Sequence, residues 1–364
     1  MEEKQKQMQS SMNEILPLEL IQIILLRVPA EHLARLRFVS KLWHSLISDP
    51  HFAKLHFNHS PATTNTNACL YTRHGSVTFL YLDALFGDHN EASLDRHQHF
   101  LVVWNPLTGS SKTISNPYAS SSDPHGFRVS FVSLYGFGYD ASQDDYLVVV
   151  AWKDMERQPH MDYFSLRTNS WINIDAALPK PLGSFNNYCG LFLNDAIHWL
   201  SAPLEDYSDA ILIFDMKERT FSKISVPAQV VMRECTCPKL TLLAGCLALY
   251  YQKKYTVSFK TKIWVMKEYK VQSSWKPYEI PLETFRPLCL SNNGDIIGDQ
   301  IIFEKNEHKI KFIIYNVRGD RLQHFKYHCA SGFMSPTDAM YTESLMPLPI
   351  DLKDKDKKRK DYGM

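Results

Sequence analysis

The chain has no excess of charge: 40 Lys and Arg stand against 39 Asp and Glu, a formal net charge of +1. A nucleic-acid binder shows a basic excess or stripe, so no polyanion partner is expected. Long apolar runs are also missing. None approaches the ~20 residues needed to span a bilayer, so no membrane association is expected. Met1 to Glu14 are polar and rich in Gln and Ser, without the ordered charged, apolar and small-residue regions of a secretory leader. The seven cysteines (Cys69, Cys189, Cys235, Cys237, Cys246, Cys289 and Cys329) are odd in number and scattered. They read as free thiols of a reducing compartment rather than a disulfide framework, and the Asn58-His59-Ser60 sequon as a chance match.

Chemistry-bearing patterns are scarce too. There is no phosphate-cradling glycine loop, no nucleophile elbow and no His-Glu-x-x-His. Asp88, His89, Asp95, His97 and His99 lie close in sequence, but they fit neither a helical i,i+4 ligand pair nor a zinc pattern, and they read as a polar loop. Cys235-x-Cys237 lacks a second Cys or His pair at zinc spacing. Asp144-Asp145 and Glu205-Asp206 sit among turn residues, as solvated carboxylates do. The expectation is a chain with no metal, no cofactor and no catalytic residues.

What is present divides the 364 residues into a short helical region and a long β-rich one. Pro17 suits the first turn of a helix, where its missing N–H costs nothing. Leu18, Ile21 and Leu25 then recur on one face. Pro29 ends that helix and opens the next, which carries Leu33 and Leu36. Trp43, Leu46 and Ile47 mark a third, stopped by Asp49-Pro50. The first helix is apolar nearly all round: Leu18, Leu20, Ile21, Ile23, Ile24, Leu25 and Leu26. Such a helix must be buried on more than one side, yet three short helices bury little by themselves. The surplus meets either the chain's own β-region or an outside partner. The Thr- and Asn-rich stretch 58–67 reads as a linker and favours the partner.

In order, the region runs Leu16-Pro17-Leu18-Glu19-Leu20-Ile21, Ile24-Leu25, Val28-Pro29-Ala30-Glu31-His32-Leu33, Arg35-Leu36-Arg37-Phe38-Val39-Ser40-Lys41-Leu42-Trp43 and Leu46-Ile47-Ser48-Asp49-Pro50-His51-Phe52. This resembles an F-box, with about a dozen positions in register. It departs from the family at Ser40, where Cys is common, and at Val28, where Leu is. The resemblance implies docking on the adaptor Skp1, and through it on a cullin–RING ubiquitin ligase. It assigns the contact to Leu16, Pro17, Leu20, Ile21, Ile24, Leu25, Leu33, Leu36, Val39 and Trp43. Some of these must form the box's own core, and the sequence does not separate the two sets.

In the β-region a hairpin unit recurs. Ile211 to Asp215 lead through a polar turn to Phe221 and Ile224. Tyr163-Phe164-Ser165 lead to Trp171-Ile172, and Phe312 to Asn316 lead to Leu322 and Phe325. Val102 to Pro106 lead to Ile114, and Ile263 to Met266 lead through a longer turn to Trp275. Between them lie further strands, at Gly136 to Asp140, Tyr146 to Val150, Asn194 to Leu200 and Gly245 to Tyr251. About four strands per repeat, at roughly 50-residue spacing, point to a β-propeller-like domain, with a β-sandwich as the alternative. Trp152, Trp171, Trp199, Trp264 and Trp275 are expected in its core.

The order Trp104-Asn105-Pro106, Gly136-Phe137-Gly138-Tyr139-Asp140, His198-Trp199, Phe214-Asp215 and Tyr341-Thr342-Glu343-Ser344-Leu345 resembles the F-box-associated domain of plant F-box proteins. The double glycine of true kelch repeats is absent. The expected layout is a disordered tail over 1–14, an all-α three-helix F-box over 15–57, a linker over 58–67, a larger all-β domain over 68–350 and a charged disordered tail over 351–364. Lys357-Lys358-Arg359-Lys360 in that tail read as a solubilising end, with a nuclear import patch as the alternative. The resemblances imply a non-catalytic substrate receptor of a Skp1–cullin–F-box ligase, cytoplasmic or nuclear, whose β-domain holds a target protein. Rival readings are a glycan-reading receptor, a Skp1-bound scaffold outside the ligase, and a propeller enzyme.

Overall fold

The computed structural model describes residues 16–59, 66–73, 76–81, 91–93, 100–105, 107–115, 131–153, 158–174, 189–200, 210–253, 260–291, 294–304, 307–316, 321–327, 335–342, 344–346 and 348. Both expected tails, the loop with Asp88, His89, Asp95, His97 and His99, and Glu205-Asp206 lie outside the described residues. The chain forms two compact units. The first comprises Met1–Asn67, Val102–Ile114 and Tyr341–Leu348; the second takes Ala68–Leu101, Ser115–Met340 and Pro349–Met364.

Among the described residues the first unit holds four helices: α1 (Leu18–Leu25), α2 (Ala30–Leu36), α3 (Lys41–Ile47) and α4 (Pro50–His59). Pro17 and Pro29 stand at the N-caps of α1 and α2. The sequence reading ended the helices at Asp49-Pro50, but the structure starts a fourth one there. Asp49 Oδ1 accepts from the backbone N–H of His51 at 2.7 Å and of Phe52 at 3.4 Å. Asp-Pro is a stop for the preceding helix, and equally an N-cap followed by the one helical position that tolerates proline. The helix so nucleated runs to His59, inside the stretch expected to be linker.

The strands are β1 (Thr66–Arg73), β2 (Ser76–Tyr81), β3 (Glu91–Ser93), β4 (Phe100–Trp104), β5 (Ser111–Ser115), β6 (Phe131–Asp140), β7 (Asp145–Lys153), β8 (Pro159–Ser165), β9 (Ser170–Asn173), β10 (Leu191–Leu193) and β11 (Ala196–Leu200). They continue as β12 (Ala210–Asp215), β13 (Phe221–Ser225), β14 (Cys235–Leu243), β15 (Cys246–Lys253), β16 (Thr261–Met266), β17 (Trp275–Ile280), β18 (Phe285–Leu290), β19 (Ile296–Glu304), β20 (Glu307–Tyr315), β21 (Arg321–Tyr327) and β22 (Ser335–Thr342). Four sheets follow chain order, β6 to β9, β10 to β13, β14 to β17 and β18 to β21, and β4-β5 form a two-stranded sheet. Another four-stranded sheet has the order β22-β1-β2-β3, so the last of the described strands lies beside the first.

Successive sheets share their cores. Leu147, Val149 and Met161 of the β6–β9 sheet pack with Ile197, Trp199 and Phe214 of the β10–β13 sheet. Leu200 and Ile211 join Leu240, Leu249 and Trp275 of the next sheet. Tyr250 and Ile263 meet Phe285, Ile296 and Ile313 of the one after. The recurring hairpins of the sequence are β4-β5, β8-β9, β12-β13, β16-β17 and β20-β21. Of the five tryptophans expected in the core, Trp199 and Trp275 are buried, while Trp152, Trp171 and Trp264 are only partly so.

The glycines of the Gly136-Phe137-Gly138 motif have a packing reason. A Cβ on Gly136 would lie 2.8 Å from the Ile197 side chain and 2.9 Å from Trp199, and one on Gly138 would lie 2.5 Å from Phe192. The β6 backbone is thus the flat floor on which side chains of the next sheet rest.

Candidate docking surface

The helices partition their apolar residues between two faces. Ile21 and Leu25 of α1, Ala30 and Leu33 of α2, Ile47 of α3, and Phe52 and Ala53 of α4 form one buried cluster. Leu36, Leu42 and Trp43 are partly buried against it. Trp43 is also held by its backbone, whose N–H donates to Ser40 Oγ at 3.2 Å. Ser40 is therefore the N-cap of α3, a role that its hydroxyl fills well. Buried His56 bridges α4 to the α1–α2 turn, with Nε2 2.7 Å from the Val28 carbonyl, so that nitrogen carries the proton.

The other face is open. On α1, Leu20, Ile23 and Ile24 are 45%, 46% and 51% exposed, flanked by Leu16 and Leu18. At about 100° per residue, these three share an arc opposite Ile21 and Leu25. Just after α2, Phe38 is 89% and Val39 59% exposed. Eight of the thirteen exposed large apolar side chains among the described residues belong to this helical segment. Exposed apolar side chains concentrated on one folded unit mark a docking surface. Arg37 borders it, donating weakly to the Ile47 carbonyl at 3.4 Å, with a buried Nε that has no partner. Burial lowers the pKa of its guanidinium below the usual value.

Of the residues that the F-box resemblance assigned to Skp1, Leu16, Pro17, Leu20, Ile24 and Val39 are exposed. Ile21, Leu25 and Leu33 are at most 7% exposed and belong to the unit's own core, the second of the two sets that the sequence did not separate. Leu36 and Trp43 lie between the two sets. Leu18, Ile23 and Phe38 are open but were not assigned. Helical phase groups Ile23 with Leu20 and Ile24, and this was the signal that could have found it.

The cluster also contains Leu345, 3% exposed, with Leu107 and Met346 packed against it. All three come from segments that the sequence reading placed in the β-domain, and no spacing rule could bring them here.

In the second unit several buried ionisable groups have hydrogen-bond or ion-pair partners. Asp140 accepts from the backbone N–H of Ser142 at 2.9 Å and its Oγ at 2.6 Å, and pairs with Arg219 at 2.7 Å. Burial pushes this carboxyl up, but the bonds from Ser142 and Arg219 and the Arg219 charge outweigh it, and the pKa is lowered. Arg219 also lies 4.8 Å over the Tyr163 ring. Asp299 receives Arg286 through Nε at 3.0 Å and Nη2 at 2.5 Å. His198 is fully buried, its Nδ1 3.1 Å from the Leu191 carbonyl and its Nε2 2.8 Å from the Tyr269 hydroxyl. A carbonyl only accepts, so Nδ1 bears the proton and Nε2 takes the tyrosine's. Burial above all, together with the Lys270 charge, lowers the imidazole pKa to about 4, and burial pushes the Tyr269 hydroxyl up to about 12. Cys235 is buried, with Sγ 3.4 Å from the Val231 carbonyl, and Cys237 is exposed.

Comparison with known proteins gives two family matches, the F-box domain over residues 14–55 and the F-box associated beta propeller domain over residues 93–348. An F-box/kelch-repeat protein of Arabidopsis thaliana is 26% identical over 97% of this chain and all of its own length. The F-box protein CPR1 of the same plant is 27% identical over 81% of each chain. Among solved structures, an exo-beta-1,3-galactanase of Phanerochaete chrysosporium aligns with a TM-score of 0.37 at 10% identity, over 76% of this chain and 67% of that one. A likeness that slight has no bearing on fold or function.

Proposed function

From the premise that this chain belongs to the plant-type F-box proteins with a C-terminal F-box associated beta propeller domain, we propose that it is the substrate-recognition subunit of a Skp1–cullin–F-box ubiquitin ligase. The observation that carries this reading is the open apolar face of α1 and the α2–α3 turn, on a unit whose opposite face is packed. Skp1 covers Leu16, Leu20, Ile24 and Val39, joined by Leu18, Ile23 and Phe38. Burial of such a face supplies affinity, with a few side chains dominating. The β-domain holds a target protein near the ligase's charged conjugating enzyme. The chain then contributes proximity, which turns a bimolecular transfer into a nearly intramolecular one. It performs no bond chemistry of its own, needs no cofactor and acts in the cytoplasm or nucleus.

The test is a titration of full-length protein with purified Skp1. Wild type is expected to bind. Leu20→Glu/Ile24→Glu should weaken binding at least about 100-fold, since each replaces a desolvated anchor with a charge. Unchanged binding by that variant, or no binding by folded wild type, would sink the reading.

A further inference from the structure

Asn105 directly follows β4 and opens its turn as Asp215, the last residue of β12, opens the turn to β13. Each caps its own turn in the same way. Asp215 Oδ1 accepts from the backbone N–H of Lys217 at 2.9 Å and Glu218 at 2.8 Å; Asn105 Oδ1 accepts from Leu107 at 3.0 Å and Thr108 at 3.4 Å. The turn needs only an acceptor, which aspartate supplies as well as asparagine. What Asn105 adds is its amide nitrogen. Nδ2 donates to the Ser344 carbonyl at 2.8 Å and to the Met346 carbonyl at 3.0 Å, on either side of Leu345. Asn105 is 9% exposed, so these bonds form away from water. The Met346 N–H turns back to Ser344 Oγ at 3.0 Å and tightens the same loop. Gripped at both flanks, Leu345 enters the cluster formed by Ile21, Leu25, Leu33, Ile47 and Phe52.

The geometry points to a conditional docking unit: the segment Ser344–Met346, held by Asn105, is an internal plug that sets the helices in their docking-competent packing. Ile21 and Leu25 are the inner face of the helix whose outer face carries Leu20, Ile23 and Ile24. Whatever fills the inner side fixes the tilt and phase of the outer side. The plug directly follows β22, the strand laid beside β1 in the sheet β22-β1-β2-β3. A chain that has not completed this sheet has no plug in place, so adaptor docking is coupled to completion of the β-domain. The adaptor half of this inference rests on the ligase reading; the packing half does not.

The experiment measures amide hydrogen exchange and Skp1 titration on the full-length chain, comparing wild type, Leu345→Ala and Asn105→Asp. Asn105→Asp keeps the acceptor that caps the turn, removes both donors, and sets a carboxylate against two carbonyl oxygens. Both variants are expected to speed exchange in α1 to α4 by about tenfold or more, with β14 to β17 unchanged. Both should weaken Skp1 binding by a similar factor, and Leu345→Met should restore both readouts. Unchanged helix exchange would overturn the plug. So would exchange that rises equally in helices and strands, since the effect would then be global. If wild type does not bind Skp1, the ligase reading falls, while the exchange data still decide the plug.

Discussion

At the scale of single residues, three buried positions make separable predictions. His198 stays neutral in the folded protein down to about pH 4, whereas an ordinary imidazole takes up its proton near 6.5. The unfolded chain therefore binds the extra proton as pH falls through that window. Stability should be level above pH 6.5 and decline toward pH 4, by roughly 3 kcal/mol at most. Urea midpoints measured across this range should show the slope in wild type and not in His198→Gln. Asp140 acts in the same direction but at lower pH. Its carboxyl is held below the ordinary 3.8, so its contribution is full above that value and is lost as pH falls further. Asp140→Asn would leave Arg219, whose Nη1 is already buried without a partner, lacking its carboxylate. The expected cost is about 3 kcal/mol by chemical denaturation. Gly136→Ala would force a methyl against Ile197 and Trp199, and should cost about 1–3 kcal/mol through the same shared core.

At the scale of elements, α1 is where the sequence said most and the structure added most. Its uniform apolarity announced two buried faces, and one of them is packed while the other is open. The division needed coordinates because Ile21 and Ile24 are chemically identical; only the position of the neighbouring helices distinguishes them. Leu25→Ala should cost about 2–5 kcal/mol in a urea titration and Ile24→Ala less than about 0.5. A reversal of that order would mean that the faces are exchanged. The fourth helix was legible in principle, since Asp49 before Pro50 is a start signal as well as a stop. Asp49→Ala should cost about 1 kcal/mol and lower helicity in α4 by circular dichroism. The hairpins were readable from the sequence because strand, polar turn and strand are local events, each completed within a few residues. The Asn194-Asp195 turn, with φ of 48° and 57°, is such a case: two left-handed residues joining β10 to β11. Leu345 was not readable, because its neighbours in space lie at the other end of the chain.

At the scale of the whole molecule, the sheet β22-β1-β2-β3 is the feature with the longest reach. Truncation after Tyr327 would remove β22 and leave β1 an open edge strand. The shortened chain should lose its single cooperative unfolding transition and elute as aggregate on size-exclusion chromatography. During synthesis the same arrangement imposes a waiting time. The helices, β1 and its neighbour β2 leave the ribosome first, but the second partner of β1, β22, follows only after everything from Arg73 to Ser335 has been translated, tens of seconds later at roughly 5–20 residues per second. Throughout that interval the nascent chain presents β1 with one edge open and an incomplete helical core, both suited to capture by chaperones. Chains truncated by a late stop codon should thus be cleared by the cell rather than accumulate.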